Sequence, residues 1–205
     1  MFGATFERFL DVLDPPRCAG CEAGGAWFCE GCFAAQGIGL EFEAGDLPGL
    51  ALGAYSGVLR SAVLAFKGGL RPVGLVLARR LAGRAGAMLE PETILVPVPT
   101  TRARGLERGY DPGVFLAREI GRHCGLACAQ VLRRTGADAQ RGRGRAARLE
   151  ARGRYACRDA TSLAGREVVL VDDVATTGST LRDCASALEA AGALPRGALV
   201  VARTL

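Results

Sequence analysis

The run VVLVDDVATTGSTL, residues 168–181, sets a buried strand, two acids and a small-residue loop end to end. Val168, Val169, Leu170 and Val171 form a continuous apolar run, the pattern of a parallel strand covered on both faces. Asp172 and Asp173 follow at its carboxyl end, where open α/β sheets meet their ligands. Next come Thr176, Thr177, Gly178, Ser179 and Thr180, short side chains around a flexible glycine. Their backbone N–H groups and hydroxyls can curl around a phosphate, and the helix predicted from Ser179 points its positive end at the same place. A carboxylate only accepts hydrogen bonds, so Asp172 and Asp173 suit the vicinal hydroxyls of a ribose whose 5′-phosphate lies in the loop. The plainer alternative makes Asp172 a turn cap, leaves Asp173 in solvent and reduces the loop to a helix cap. The unbroken order of the run favours the ribose-phosphate reading.

At 205 residues the chain can bury one substantial core and still carry a small appended module. A hydrophobic content of 49% excludes a largely disordered protein, and no apolar run approaches membrane-spanning length. Near the start, Phe2, Phe6, Phe9, Leu10 and Leu13 recur at helical spacing, interrupted by Glu7, Arg8 and Asp11. This predicts an amphipathic packing helix rather than a secretory signal, so a cytoplasmic protein is expected.

The formal net charge is +5, and Lys67 is the single lysine among the basic residues. Arginine forks bind phosphate and carboxylate in bidentate fashion. Between positions 133 and 166 ten arginines stand against Asp138, Glu150 and Asp159. Three readings stay open for this segment: a loop closing over a diphosphate, a nucleic-acid backbone contact, or a compositional bias toward arginine.

Cys18-x2-Cys21 and Cys29-x2-Cys32 form two knuckles with the number and spacing of a tetrahedral structural zinc site. Disulfides are the alternative, disfavoured without an export signal. Four sulfur ligands leave no open position, so the zinc would fold its module rather than catalyse. Cys124, Cys128, Cys157 and Cys184 lie on or beside apolar stretches and are expected in the core.

Residues 37–50, rich in glycine and acids, read as a connector. The expected organisation is an amino-terminal helix, zinc module and connector over 1–50, then an α/β domain over 51–205. Helical spacing over 55–66 and 72–88 flanks Lys67-Gly68-Gly69. Residues 94–98 read as a short strand, and the next helix has Asp111 at N-cap, Pro112 at N1 and Gly125 beyond its end. Further strands are expected at 126–132, 154–157 and 198–202, and a helix over 179–191 ended by Gly192. Strands alternating with helices indicate a parallel sheet.

The run 168–181 resembles the phosphoribosyl pyrophosphate (PRPP) signature of type I phosphoribosyltransferases. The chain as a whole is similar to the ComF family, competence-associated proteins that join a cysteine-rich module to such a domain. The resemblance rests on the four amino-terminal cysteines, on YSGVLRSAVLAFKG at 55–68, on Val96-Pro97-Val98-Pro99, on Arg108-Gly109-Tyr110, on residues 140–148 and on the signature. It implies a type I phosphoribosyltransferase-like α/β fold that binds PRPP with Mg²⁺ and moves its phosphoribosyl group to a nitrogen acceptor. In that reading Asp172 and Asp173 are the catalytic carboxylates, and residues 176–180 hold the 5′-phosphate. Val98, Pro99 and Thr100, with Thr101, form the diphosphate loop beside Arg102, Arg104 and Arg108, while Gln140 belongs to a loop over 133–148 that covers the ligand. Strand termination is the plainer role for Pro97 and Pro99. The resemblance also implies natural competence, with single-stranded DNA and a competence helicase or recombination proteins as partners. A non-catalytic DNA-uptake factor using the pocket as sensor or scaffold is the alternative. Where the family usually reads Arg-Gly-Phe-Asn-Gln, this chain reads Arg108-Gly109-Tyr110-Asp111-Pro112, and Ala151 stands where the family has an asparagine. The lone histidine, His123, is expected at a helix end on the surface.

Overall fold

The computed structural model describes residues 15–37, 39–100, 108–135 and 154–205. In chain order the elements are α1 (Glu30–Ala35), β1 (Leu40–Ala44), β2 (Leu47–Ala54), α2 (Gly57–Lys67), α3 (Arg71–Ala85), β3 (Ile94–Pro97), α4 (Pro112–Cys124), β4 (Ala127–Cys128), β5 (Leu132–Arg134), β6 (Tyr155–Cys157), β7 (Glu167–Ala175), α5 (Ser179–Glu189) and β8 (Leu194–Arg203). Six strands form the main sheet in the order β1-β2-β8-β7-β3-β4, and β5 and β6 pair as a separate ribbon. From β2 to β4 the neighbours run parallel, while β1 folds back antiparallel on β2. This is the α/β architecture expected from the alternating pattern, with helices on both faces of a mostly parallel sheet.

Side chains alternate across a strand, so one strand feeds two cores. Val169 and Val171 of β7 join Leu95, Leu199, Val201 and Leu52 on one face, covered by Leu59, Val63 and Phe66 of α2, Leu77 and Leu81 of α3, and Leu116 and Ile120 of α4. Val168 and Leu170 join Val96, Ala198 and Val200 on the other, covered by Leu181, Cys184 and Leu188 of α5 and by Leu132 and Tyr155 of the ribbon. All four residues of the apolar run are fully buried, as a strand covered on both faces requires.

The first face also carries the cysteine knuckles, since Cys18, Phe28 and Cys32 belong to the same core as α2 and α3. A Cβ at Gly20 would stand 2.7 Å from the Cys32 sulfur and 3.0 Å from Val58, so the knuckle presses on the start of α2. Arg80 of α3 pairs with Glu30 and lies over the Phe33 ring at 4.3 Å, fastening α1 to the same surface.

Several expectations need correction. Residues 37–50 are not a plain connector: they contain β1 and the start of β2, and β2 pairs with β8 inside the main sheet. Leu40, Phe42 and Ala44 alternate with Glu41 and Glu43, a half-buried edge pattern hidden by the surrounding glycines and acids. Gly49 is required there, because the Phe42 ring occupies the place its Cβ would take, at 2.3 Å. The strand expected over 126–132 divides into β4, on the main sheet, and β5, on the ribbon. Cys184 is buried and Cys128 and Cys157 are partly so, but Cys124 ends α4 on the surface. The helix expected over 2–13 lies outside the described residues.

Phe66, Tyr110 and Phe115 form an aromatic knot between α2 and α4, with ring centroids 5.4 to 6.3 Å apart. Gly74 of α3 lets it close, since a Cβ there would fall 2.4 Å from the Phe66 ring and 2.9 Å from that of Phe115. Gly74→Ala should therefore lower the unfolding free energy, overpacking costing about 1–3 kcal/mol against a helix-propensity gain of about 1 kcal/mol. Urea denaturation should read a net loss with no change in slope.

Candidate functional site

The carboxyl ends of β3 and β7, together with the segment after β2, open onto one cleft of about 370 Å³, within the range usual for small-ligand sites. Asp172, Asp173, Thr176, Thr180, Val98, Pro99, Thr100 and Arg108 all line it. The ordered run at 168–181 and the segment after β3 are thus brought to the same place by the parallel pairing of β3 with β7. Thr177, Gly178 and Ser179 belong to the same loop but do not line the cleft, while Gln140, Thr101, Arg102, Arg104 and Ala151 lie outside the described residues.

Strand β7 runs on through Ala175, so the two acids sit within its last turns of pleat and diverge. Asp173 faces the α2 side, where its carboxylate takes the Lys67 ammonium at 3.0 Å. Asp172 stands on the α5 side with Tyr155 and Cys184, whose thiol and phenol are both pushed up in part by its charge and foremost by their own burial. Its Oδ1 accepts the Asp173 N–H at 2.8 Å. Burial raises the Asp172 carboxyl well above the ordinary range; the Asp173 charge adds to this and the Asp111 charge adds a little more, while the Asp173 N–H and Lys67 oppose.

The loop after β7 turns on Gly178, whose φ of 74° suits glycine and whose missing Cβ would meet Ala44 at 2.8 Å. Thr177 Oγ1 accepts the Ser179 N–H at 3.3 Å. Two arginines brace the loop from outside: Arg203 donates to the Thr176 carbonyl at 2.6 Å, and Arg154 donates to Asp183 at 2.6 Å and to Ser179 Oγ at 3.1 Å. The positive end of α5 is thereby fixed toward the cleft beside Thr180.

Opposite it, Val98 N–H donates to the Val171 carbonyl at 2.9 Å, tying the β3 loop to β7. Asp111 caps α4 as its sequence position predicts: Oδ1 accepts Val114 N–H at 3.2 Å. Its second oxygen accepts the Thr100 N–H at 3.1 Å. Tyr110, one residue earlier, donates to the Phe66 carbonyl and lies under the Arg71 guanidinium at 5.2 Å. The aromatic knot therefore sets the α4 terminus against the end of α2 that delivers Lys67.

The four amino-terminal cysteines converge, with all their sulfurs within 4.8 Å of one another and those of Cys21 and Cys29 3.7 Å apart. Tetrahedral ligation at about 2.3 Å per sulfur needs edges of about 3.8 Å, so the set can hold a metal ion. Burial alone would raise the Cys18 thiol, but backbone donors from Cys29, Gly20 and Cys21 bring it down to about 6. Burial foremost pushes the Cys32 thiol up, an opposition that a bound cation would offset.

The family model for the phosphoribosyl transferase domain matches residues 106–203. The fold is phosphoribosyltransferase-like. Among solved structures, the chain is similar to the glutamine phosphoribosylpyrophosphate amidotransferase from B. subtilis, complexed with ADP and GMP, at 21% identity and a TM-score of 0.43 over 58% of this chain and 24% of that one. It is also similar to the adenine phosphoribosyltransferase from Leishmania donovani, at 20% identity and a TM-score of 0.38 over 62% of this chain and 51% of that one. It thus spans about a quarter and about half the length of these two proteins. No curated protein matches. Among the described residues, no helix is long and apolar enough to cross a membrane.

Sequence reading missed Lys67, Tyr55 and Tyr155 as lining residues. A lone lysine directly before a Gly-Gly helix end was a signal for the first; the others reach the cleft through pairings that no local pattern encodes. His123 stands exposed at the end of α4, as expected.

Because the folded-state pKa of Asp172 lies above its unfolded value, stability should fall as pH rises from the ordinary carboxylate range through the raised value. Asp172→Asn should melt higher than the parent at neutral pH, by about 2–4 °C for each kcal/mol of strain relieved. That advantage should vanish below about pH 4, which thermal denaturation across pH 4–8 would read.

Proposed function

We propose that the cleft binds a 5-phosphoribosyl group, with its ring hydroxyls on Asp172 and Asp173 and its 5′-phosphate at residues 176–180. The observation that carries this reading is the convergence of two carboxylates, a glycine-turned loop at the start of α5 and the β3 loop on one cleft. The phosphoribosyl transferase match over 106–203 supports it independently. The ligand in this reading is PRPP, taken as its Mg²⁺ complex, in which the ion neutralises part of the diphosphate charge.

Transfer would form a bond from an acceptor nitrogen to C1′ and break the bond from C1′ to diphosphate, which leaves with the electron pair as the nitrogen gives up a proton. Positive charge grows on the ribose ring during that exchange. Asp172 and Asp173 would stabilise it, and Lys67, already paired with Asp173, holds that carboxylate in place beforehand. The loop from Val98 to Thr100, with Arg108, would receive the leaving group.

Titration calorimetry with PRPP and Mg²⁺ tests the site. Parent protein should bind, and Asp172→Asn combined with Asp173→Asn should weaken binding at least a hundredfold while keeping the fold. Retained affinity in the double variant would remove the carboxylates from the site.

The metal of the cysteine cluster is zinc in this proposal, because four soft thiolates in a closed set suit it. Elemental analysis should find about one zinc per chain. Chelation should lower the melting temperature sharply, because the cluster shares its core with α2 and α3. The resemblance to the ComF family supports a place in natural competence, with incoming single-stranded DNA and competence helicase or recombination proteins as partners. The arginine-rich segment supplies the phosphate-binding chemistry for such contacts. The same resemblance supports a metal-binding part followed by a phosphoribosyltransferase-like part; the boundary expected between residues 50 and 51 falls inside β2, so the sheet of the second part begins with β1.

A further inference from the structure

Asp111 differs from the other acids of the cleft in having both carboxylate oxygens engaged by backbone donors, one from the α4 terminus and one from the β3 loop. Oδ1 takes Val114 N–H in the first turn of α4, and Oδ2 takes Thr100 N–H at the end of the β3 loop. Those are the donors that the α4 terminus and the β3 loop would otherwise turn toward an anionic ligand. The carboxylate is held where it is. Gly113 brings α4 so close to the strand ends that a Cβ there would lie 3.0 Å from the Val98 carbonyl and 3.5 Å from that of Val171.

We propose that Asp111 is a specificity-determining residue. It acts as a resident anion at the β3 end of the cleft and disfavours a diphosphate that carries no Mg²⁺, so that without Mg²⁺ ligands carrying ribose 5-phosphate but no C1′ diphosphate are preferred. The inference rests on the ribose-phosphate reading of the same cleft. Local charge supports it: in the described lining Asp111, Asp172 and Asp173 offset Lys67, Arg108 and Arg134, and Lys67 is already paired with Asp173. A single 5′-phosphate enters at the far end, beside α5, and does not meet Asp111. A C1′ diphosphate enters beside a carboxylate that two backbone hydrogen bonds hold in place. Nucleoside 5′-monophosphates, the chemical class of product that a phosphoribosyl transfer releases, belong to the favoured group.

Asparagine caps helices about as well as aspartate and keeps one oxygen for the Val114 N–H, so Asp111→Asn removes the charge and releases the Thr100 N–H that the second carboxylate oxygen holds. The test is calorimetric titration of the full chain and this variant with ribose 5-phosphate and with PRPP, each without and with Mg²⁺. Without Mg²⁺, the variant should bind PRPP about tenfold more tightly, equivalent to about 1.4 kcal/mol, and ribose 5-phosphate within about twofold of the parent. Added Mg²⁺, by neutralising diphosphate charge, should shrink the difference between the two proteins. An unchanged PRPP affinity, or an equal shift for both ligands, would overturn the assignment. Asp111→Ser, which also caps without charge, should reproduce the PRPP gain; a gain confined to asparagine would count against charge as the cause. If the parent binds neither ligand, the ribose-phosphate reading fails, and the role of Asp111 fails with it.

Discussion

The alternation of side chains along β7 is the constraint on which the rest of this structure depends. Val168 and Leu170 commit one face of the sheet to α5 and the ribbon, while Val169 and Val171 commit the other to α2, α3 and α4. A slip of one residue would exchange the two sets and carry Asp172 into the fully buried place of Val171. Because the pleat continues to the end of the strand, Asp172 and Asp173 inherit opposite directions from the same rule. One acid stands among α5-side groups and the other meets a lysine from α2, so adjacent residues of identical type acquire different environments.

Each bank of the cleft is then held by packing remote from the ligand space. The aromatic knot of Phe66, Tyr110 and Phe115 joins α2 to α4, and that junction positions both Lys67 and Asp111. Arg203 and Arg154 restrain the loop at the start of α5, and the close approach of Gly178 to Ala44 seats that loop on β1. The hairpin of β1 and β2 thereby contributes to the site, though it lies at the sheet edge. Ionic contacts in this region are partly shielded from water. The Lys67–Asp173 pair, with side chains 22% and 13% exposed, orients groups more firmly than a surface pair would.

The cysteine cluster extends the same logic to the amino-terminal side. Its sulfurs meet one another within metal-ligating reach, yet Cys18 and Cys32 also belong to the core beneath α2 and α3. Closing the four sulfurs on a metal ion would therefore also fix the cluster on that core. The cluster anchors the surface from which Lys67 reaches the cleft, which makes it a structural support for the site rather than a separate appendage.

The sequence alone carried the central strand, its two acids, the glycine-turned loop, the capped helix from Pro112 to Cys124 and the cysteine set, because each is a local pattern of period, cap or spacing within a few residues. It did not reveal β1 and β2, whose edge alternation is weakened by glycine and acid. Nor did it place Lys67, Tyr55 and Tyr155 in the cleft. Those positions follow from which strands pair, which helix covers which face, and where α2 ends relative to β7. Residue identity fixed the chemistry available to this protein. Only tertiary packing decided which groups meet, because strand order and helix docking are long-range choices that no local pattern contains.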